Sequence, residues 1–106
     1  MATLHIEHAI TDYATWKAAF DGFVDRRAAA GVTAHRIHTP VDNPRYVVLQ
    51  LDFPSVEQAR AFLGFLESAV WSVPANSPGL AGSPTARILV SAPDQEQLGE
   101  GDTVYP

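Results

Sequence analysis

Apolar and polar residues alternate from Thr3 to Ile10. Leu4, Ile6, His8 and Ile10 share one face, and Thr3, His5, Glu7 and Ala9 share the other. A period of two predicts a strand over residues 3–10. The period then changes. Tyr13, Trp16, Phe20, Phe23, Val24 and Arg27 recur at helical spacing, with Lys17, Asp21, Asp25 and Arg26 on the opposite face. An amphipathic helix is expected from Asp12 to about Ala30, with Thr11 or Asp12 as its cap and Gly31 as its end. Two strands follow, 32–39 and 45–53, separated by the turn cluster PVDNP. The second puts Val47, Leu49, Leu51 and Phe53 on one face and Tyr46, Val48, Gln50 and Asp52 on the other. Ser55 and Gln58 are spaced as a capping box. They open a second helix whose stripe is Val56, Ala59, Phe62, Leu63, Leu66 and Val70, ending near Trp71. Three prolines and two glycines between Pro74 and Pro84 predict a loop, and residues 86–92 predict the last strand.

The element order is β-α-β-β-α-β. It predicts an α+β, ferredoxin-like domain over residues 1–92, a four-stranded antiparallel sheet with both helices on one face. Residues 93–106 are acidic and poor in apolar side chains, which points to a tail or a dimer arm. The helices leave one sheet face bare. Thr3, His5, Glu7, Val48 and Gln50 belong to it, a mixed surface without a dominant charge. Burial of that face against a second copy of the chain predicts a homodimer.

Composition narrows the functions. The 106 residues carry a net charge of -5, and the 7 Lys and Arg are scattered, so nucleic acid is not an expected partner. No cysteine is present, which removes thiolate metal sites, disulfides and a cysteine nucleophile. No apolar run is long enough for a membrane span, and no signal-peptide pattern is visible, so the expected location is cytoplasmic.

The stretch HIEHAI places His5, Glu7 and His8 within four positions. On a strand, His5 and Glu7 share a face and His8 takes the other, so the three cannot converge on a metal. The helical H-E-x-x-H zinc motif has a different spacing. His5 and Glu7 are expected to make contacts across the dimer. His8 shares its face with Leu4, Ile6 and Ile10 and should point between sheet and helices. There it is either a core histidine satisfied by a backbone carbonyl or an acid–base group. Strand 2 has two registers. One sets His38 and Arg36 on the helix side, the other sets Ile37 and His35 there, since a one-residue slip exchanges faces.

The runs DYATWKAAFD, RRAAAGVTAHRIH, VDNPRYVVLQLDF, SVEQARAFLGFL and GLAGSP resemble the small dimeric α/β-barrel proteins. Within that superfamily the chain looks closest to a branch near the antibiotic biosynthesis monooxygenases. The match spans about residues 3–92. The resemblance implies a substrate cavity between sheet and helices. It implies an oxygenase or cyclase with no metal and no organic cofactor, acting on a flat aromatic or polyketide-like molecule. His8 and Tyr13 would be the catalytic pair, imitating the Tyr-His pair of the cyclases. Trp16, Phe20, His38, Phe62, Leu66 and Trp71 would bind the substrate. The oxygenases of the superfamily use an Asn-Trp pair; here Trp71 and Asn76 lie five residues apart, a spacing that does not match. The alternative is a non-catalytic dimeric module that binds a small hydrophobic ligand or stabilises another protein.

Overall fold

The computed structural model describes residues 1–92. The acidic segment 93–106, expected as a tail or arm, lies outside the described residues. The elements are β1 (Ala2–Ile10), α1 (Tyr13–Gly22), α2 (Val24–Ala29), β2 (Ala34–His38), β3 (Tyr46–Phe53), α3 (Val56–Phe65), a π-helical turn (Leu66–Val70), a 3-10 turn (Pro74–Asn76) and β4 (Leu80–Leu89). The four strands form one antiparallel sheet in the order β2-β3-β1-β4. This is the expected split arrangement.

The alternation read in the sequence is the burial pattern of β1 and β3. Ala2, Leu4, Ile6, His8 and Ile10 are buried on β1, and Val47, Leu49, Leu51 and Phe53 on β3. Trp16 and Phe20 of α1 and Ala59 and Phe62 of α3 close over them, so the core lies between the sheet and the helices. Asp12 caps α1 by accepting from the Thr15 N–H at 2.8 Å, and Ser55 caps α3 by accepting from Gln58 N–H at 3.2 Å.

Three elements differ from expectation. The first helix is two helices. Phe23 (φ -101°, ψ 15°) breaks the run after Gly22, a residue with high conformational freedom. The second helix loosens into a π turn, closed by Trp71 N–H donating to Leu66 C=O at 2.7 Å. The last strand begins at Leu80, inside the stretch expected to be loop. It accommodates Gly82, Ser83 and Pro84 as a bulge. Glu7 pairs with Thr85 and Ala9 with Ala81, so three residues of β4 stand against His8 alone. Gly82 takes φ +73°, and β4 is an edge strand, where a proline without an N–H is tolerated.

No helix among the described residues is long and apolar enough to cross a membrane.

Candidate functional site

A cleft opens between the sheet and the helices. Its inner volume is about 70 Å³, and it opens to solvent at a wide mouth. β1 and β3 supply its floor through Ile6, His8, Leu49 and Leu51. The first helical hairpin supplies Trp16, Phe20, Phe23 and Arg27, and α3 with its π turn supplies Phe62, Leu66 and Val70. Trp71, Asn76, Ser77, Pro78 and Leu80 form the remaining wall. The lining is mostly apolar, with a few polar groups, the usual make-up of a small-molecule site.

His8 is 4% exposed. Its Nδ1 lies 2.9 Å from the Ala9 carbonyl oxygen. A carbonyl can only accept, so Nδ1 carries the proton and donates. The other ring nitrogen, Nε2, then holds a lone pair in the neutral ring and has no protein partner among the described residues. Burial holds the pKa of His8 below its ordinary value, against a smaller opposing effect of the Ala9 carbonyl. The ring is therefore neutral at physiological pH and able to accept a proton at Nε2. The β4 bulge lies directly opposite, where no β4 residue pairs with His8.

Aromatic rings extend from His8 along one wall. Trp16 meets it edge-on at 6.1 Å between centroids, and Phe20 stacks on Trp16 at 5.3 Å. The Arg27 guanidinium carbon then sits over Phe20 at 3.6 Å from the ring centroid. Arg27 is 6% exposed and donates through Nη1 to the Phe20 carbonyl. Burial lowers its pKa, with Asp21 acting in the opposite direction. Its position on the inner stripe of the first helix was readable in the sequence, but the site expected there did not include it. Charge on that stripe is the signal that could have singled it out.

Of the expected site residues, His8, Trp16, Phe20, Phe62, Leu66 and Trp71 line this cleft together. Asn76 lines it beside Trp71, its side-chain amide donating to the Ala69 carbonyl at 2.8 Å. Tyr13 and His38 do not line it. Tyr13 is 40% exposed and packs on Trp16 at 5.9 Å between centroids, outside the cleft lining. His38 pairs with Val48, and Ile37 with Leu49. This register sends His38 and Arg36 to the open face and Ile37 and His35 to the helix side. Tyr13 and His38 instead border a shallow surface depression with Ile37, Thr39 and Pro44.

The open face carries a continuous hydrogen-bond chain. Tyr46 OH donates to Glu7 at 2.9 Å, and His5 Nε2 donates to the other Glu7 oxygen at 2.7 Å. Gln50 donates to His5 Nδ1 at 3.0 Å and accepts from Arg36 Nε at 3.0 Å. Arg36 forks onto Asp52 at 2.8 and 2.9 Å, and Thr3 donates to the same carboxylate at 2.8 Å. Arg36 and Thr3 bring the Asp52 carboxyl down to about 2, and His5 and then Tyr46 lower that of Glu7. From Arg36 through Gln50 and His5 to Glu7 each group donates to the next, so a single His5 tautomer satisfies that stretch. Sequence alternation identified the face; the parts of Arg36, Tyr46 and Asp52 in the chain depend on the register. No cluster of three or more metal-binding side chains occurs among the described residues.

Together these features define a ferredoxin-like α+β domain with a mostly apolar cleft on its helical side and a self-satisfied polar sheet face. Solved structures share the fold. A candidate antibiotic biosynthesis monooxygenase from Bordetella bronchiseptica superposes with a TM-score of 0.62 at 15% identity, over 86% of this chain and 97% of that one. A second, from Nitrosomonas europaea, gives 0.58 at 16% identity, over 86% and 98%. A dimeric ferredoxin-like protein from an uncultured marine organism gives 0.59 at 10% identity, over 89% and 97%. At these identities the likeness is one of fold. No protein-family profile matches the chain, and no curated protein does.

Proposed function

We propose that the protein is a homodimeric, cytoplasmic small-molecule enzyme that uses neither metal nor organic cofactor, and that its reaction begins with proton removal by His8. The observation that carries this reading is the buried, neutral His8 ring with Nδ1 tied to a carbonyl and Nε2 left free in an apolar cleft. Such a nitrogen can take a proton from a phenol or an activated C–H held between Trp16, Phe62 and Trp71. In an oxygenase the resulting anion is oxidised by O₂: one oxygen atom enters the ring, the other leaves as water, and a phenol becomes a quinone. In a cyclase the anion attacks a carbonyl of the same molecule. The fold neighbours named as monooxygenases favour the first.

The roughly 70 Å³ of inner space is about half of the 150 Å³ that admits benzene in an engineered cavity. A ring must therefore occupy the mouth or widen the cleft. The π turn is the element suited to give way, since it already departs from regular helix and contributes Leu66 and Val70 to the wall. The polar sheet face supports the dimer. Its groups satisfy one another before association, which lowers the cost of removing them from water.

A thermal-shift screen of hydroxylated one- to three-ring aromatics tests the reading, followed by O₂ uptake with each ligand found. Ligands should raise the melting temperature of the wild type. Turnover should vanish in His8→Ala. Ligands without turnover by either route would favour the binding-module alternative, and turnover unchanged in His8→Ala would remove His8 from the mechanism.

A further inference from the structure

Resting on the cleft as the substrate site, we infer that Arg27 is an anion anchor and that the substrate is a flat aromatic acid, its carboxylate on Arg27 and its reacting end toward His8. A guanidinium has five N–H donors. Among the described residues only Nη1 has a protein acceptor, the Phe20 carbonyl at the end of α1. The remaining donors belong to a buried residue, 6% exposed, that lines the cleft. No carboxylate among the described residues lies within ion-pair distance of it, and no acidic side chain lines the cleft. Asp21, whose field reaches Arg27, is itself paired with Lys17 at 2.7 Å. A buried cation with spare donors and no counter-ion is costly unless something pairs with it. A carboxylate fits the planar fork with two parallel hydrogen bonds.

The arrangement also fixes the ligand's shape. Trp16 and Phe20, stacked at 5.3 Å, stand between His8 and Arg27. A ligand lying against both rings brings one end to each polar group. That describes a rigid, flat body about two rings long, with an acidic O–H or C–H at one end and a carboxylate at the other. Arg27 would position the substrate; it takes no part in proton transfer.

The probes are 6-hydroxy-2-naphthoate and its neutral primary amide, measured by calorimetry on the intact wild-type chain. The acid should bind at least tenfold more tightly, and added salt should narrow the difference. Arg27→Gln should remove that preference while leaving amide binding within twofold. Arg27→Lys, which keeps charge but loses the fork, should retain part of it. Circular dichroism melts establish that each variant is folded, and the wild-type comparison stands even if a variant is not. Equal binding of acid and amide to the wild type would overturn the anion anchor and leave the cleft as a ligand site. Equal loss of both probes in a folded Arg27→Gln would assign Arg27 to holding the α1–α2 joint. Binding of neither probe would count against the cleft reading and the anchor together.

Discussion

Replacing His8 by alanine separates a neutral buried ring from a charged one through pH. At pH 8 the change removes a packed ring and its bond to the Ala9 carbonyl. Because one side of the ring already borders the cleft, water can fill much of the gap, and the cost should be about 2 kcal/mol. Acid changes that figure in a defined direction. Burial lowers the folded-state pKa of His8, so the unfolded chain binds the proton first. The contribution of the neutral ring is fully present above the unfolded value of about 6.5 and is lost as pH falls through the folded value. Each pH unit crossed between the two removes about 1.4 kcal/mol from the wild type and nothing from His8→Ala on this account. Denaturant melts of both proteins at pH 8, 7, 6 and 5.5 should therefore converge as pH falls. Curves that stay parallel, or a gap that widens in acid, would mean that burial does not lower the pKa of the ring in the fold, and the buried neutral imidazole would be refuted.

Gly79→Ala should destabilise by about 2–4 kcal/mol in a thermal or denaturant melt, because the residue has φ +87° and a Cβ would meet the Trp16 backbone nitrogen at 2.8 Å. Arg36→Ala should move the Asp52 carboxyl upward from about 2 toward the ordinary aspartate value of about 3.9 by NMR titration; no movement would show that Thr3 alone holds it. The stabilising part of that pair is present above the ordinary aspartate value and lost as pH falls toward 2, so Arg36→Ala should flatten the wild type's stability loss in that window. Val48→Asp, on the open sheet face, should convert a light-scattering mass of about twice 11.4 kDa to the single-chain value; a wild type already at 11.4 kDa would refute the dimer.

Strand alternation carried most of the fold because burial on one face imposes it. A one-residue slip in β1 would exchange Leu4, Ile6 and Ile10 for Thr3, His5 and Glu7, so the pattern and the register are the same fact. Strand β2 has no such constraint. Among Ala34–His38 only Ile37 is even half-buried, which is why the sequence left His38 and His35 interchangeable. The assignment of His38 to the substrate followed one of two registers, and the hydrogen bonds of Arg36 to Gln50 and Asp52 accompany the other. Tyr13 sits at the start of the aromatic stripe, but the first residue of a helix is also the one most able to lie beyond the sheet, and Trp16 fills the inner position.

What escaped the sequence has a common physical character. The break at Phe23, the π turn at Leu66–Val70 and the bulge at Gly82–Pro84 are all departures from a regular period, and period is what pattern reading detects. The first two line the cleft, and the third lies against His8. The break turns α2 so that Arg27 comes back over Phe20. The π turn sets Leu66 and Val70 into the wall, and the bulge lies opposite His8. Regular elements packed at native density leave little room, so space beside a buried polar group has to come from residues that depart from the regular repeat. The glycine and proline of GSP, which read as loop, are the residues a sheet needs to make such a departure at an edge. Removing the bulge by deleting Gly82 and Ser83 should lengthen the regular β1–β4 ladder past His8. The shortened protein should remain folded, with unchanged far-ultraviolet circular dichroism, and should lose the thermal response to aromatic ligands. Ligand responses unaffected by that deletion would separate the bulge from the site.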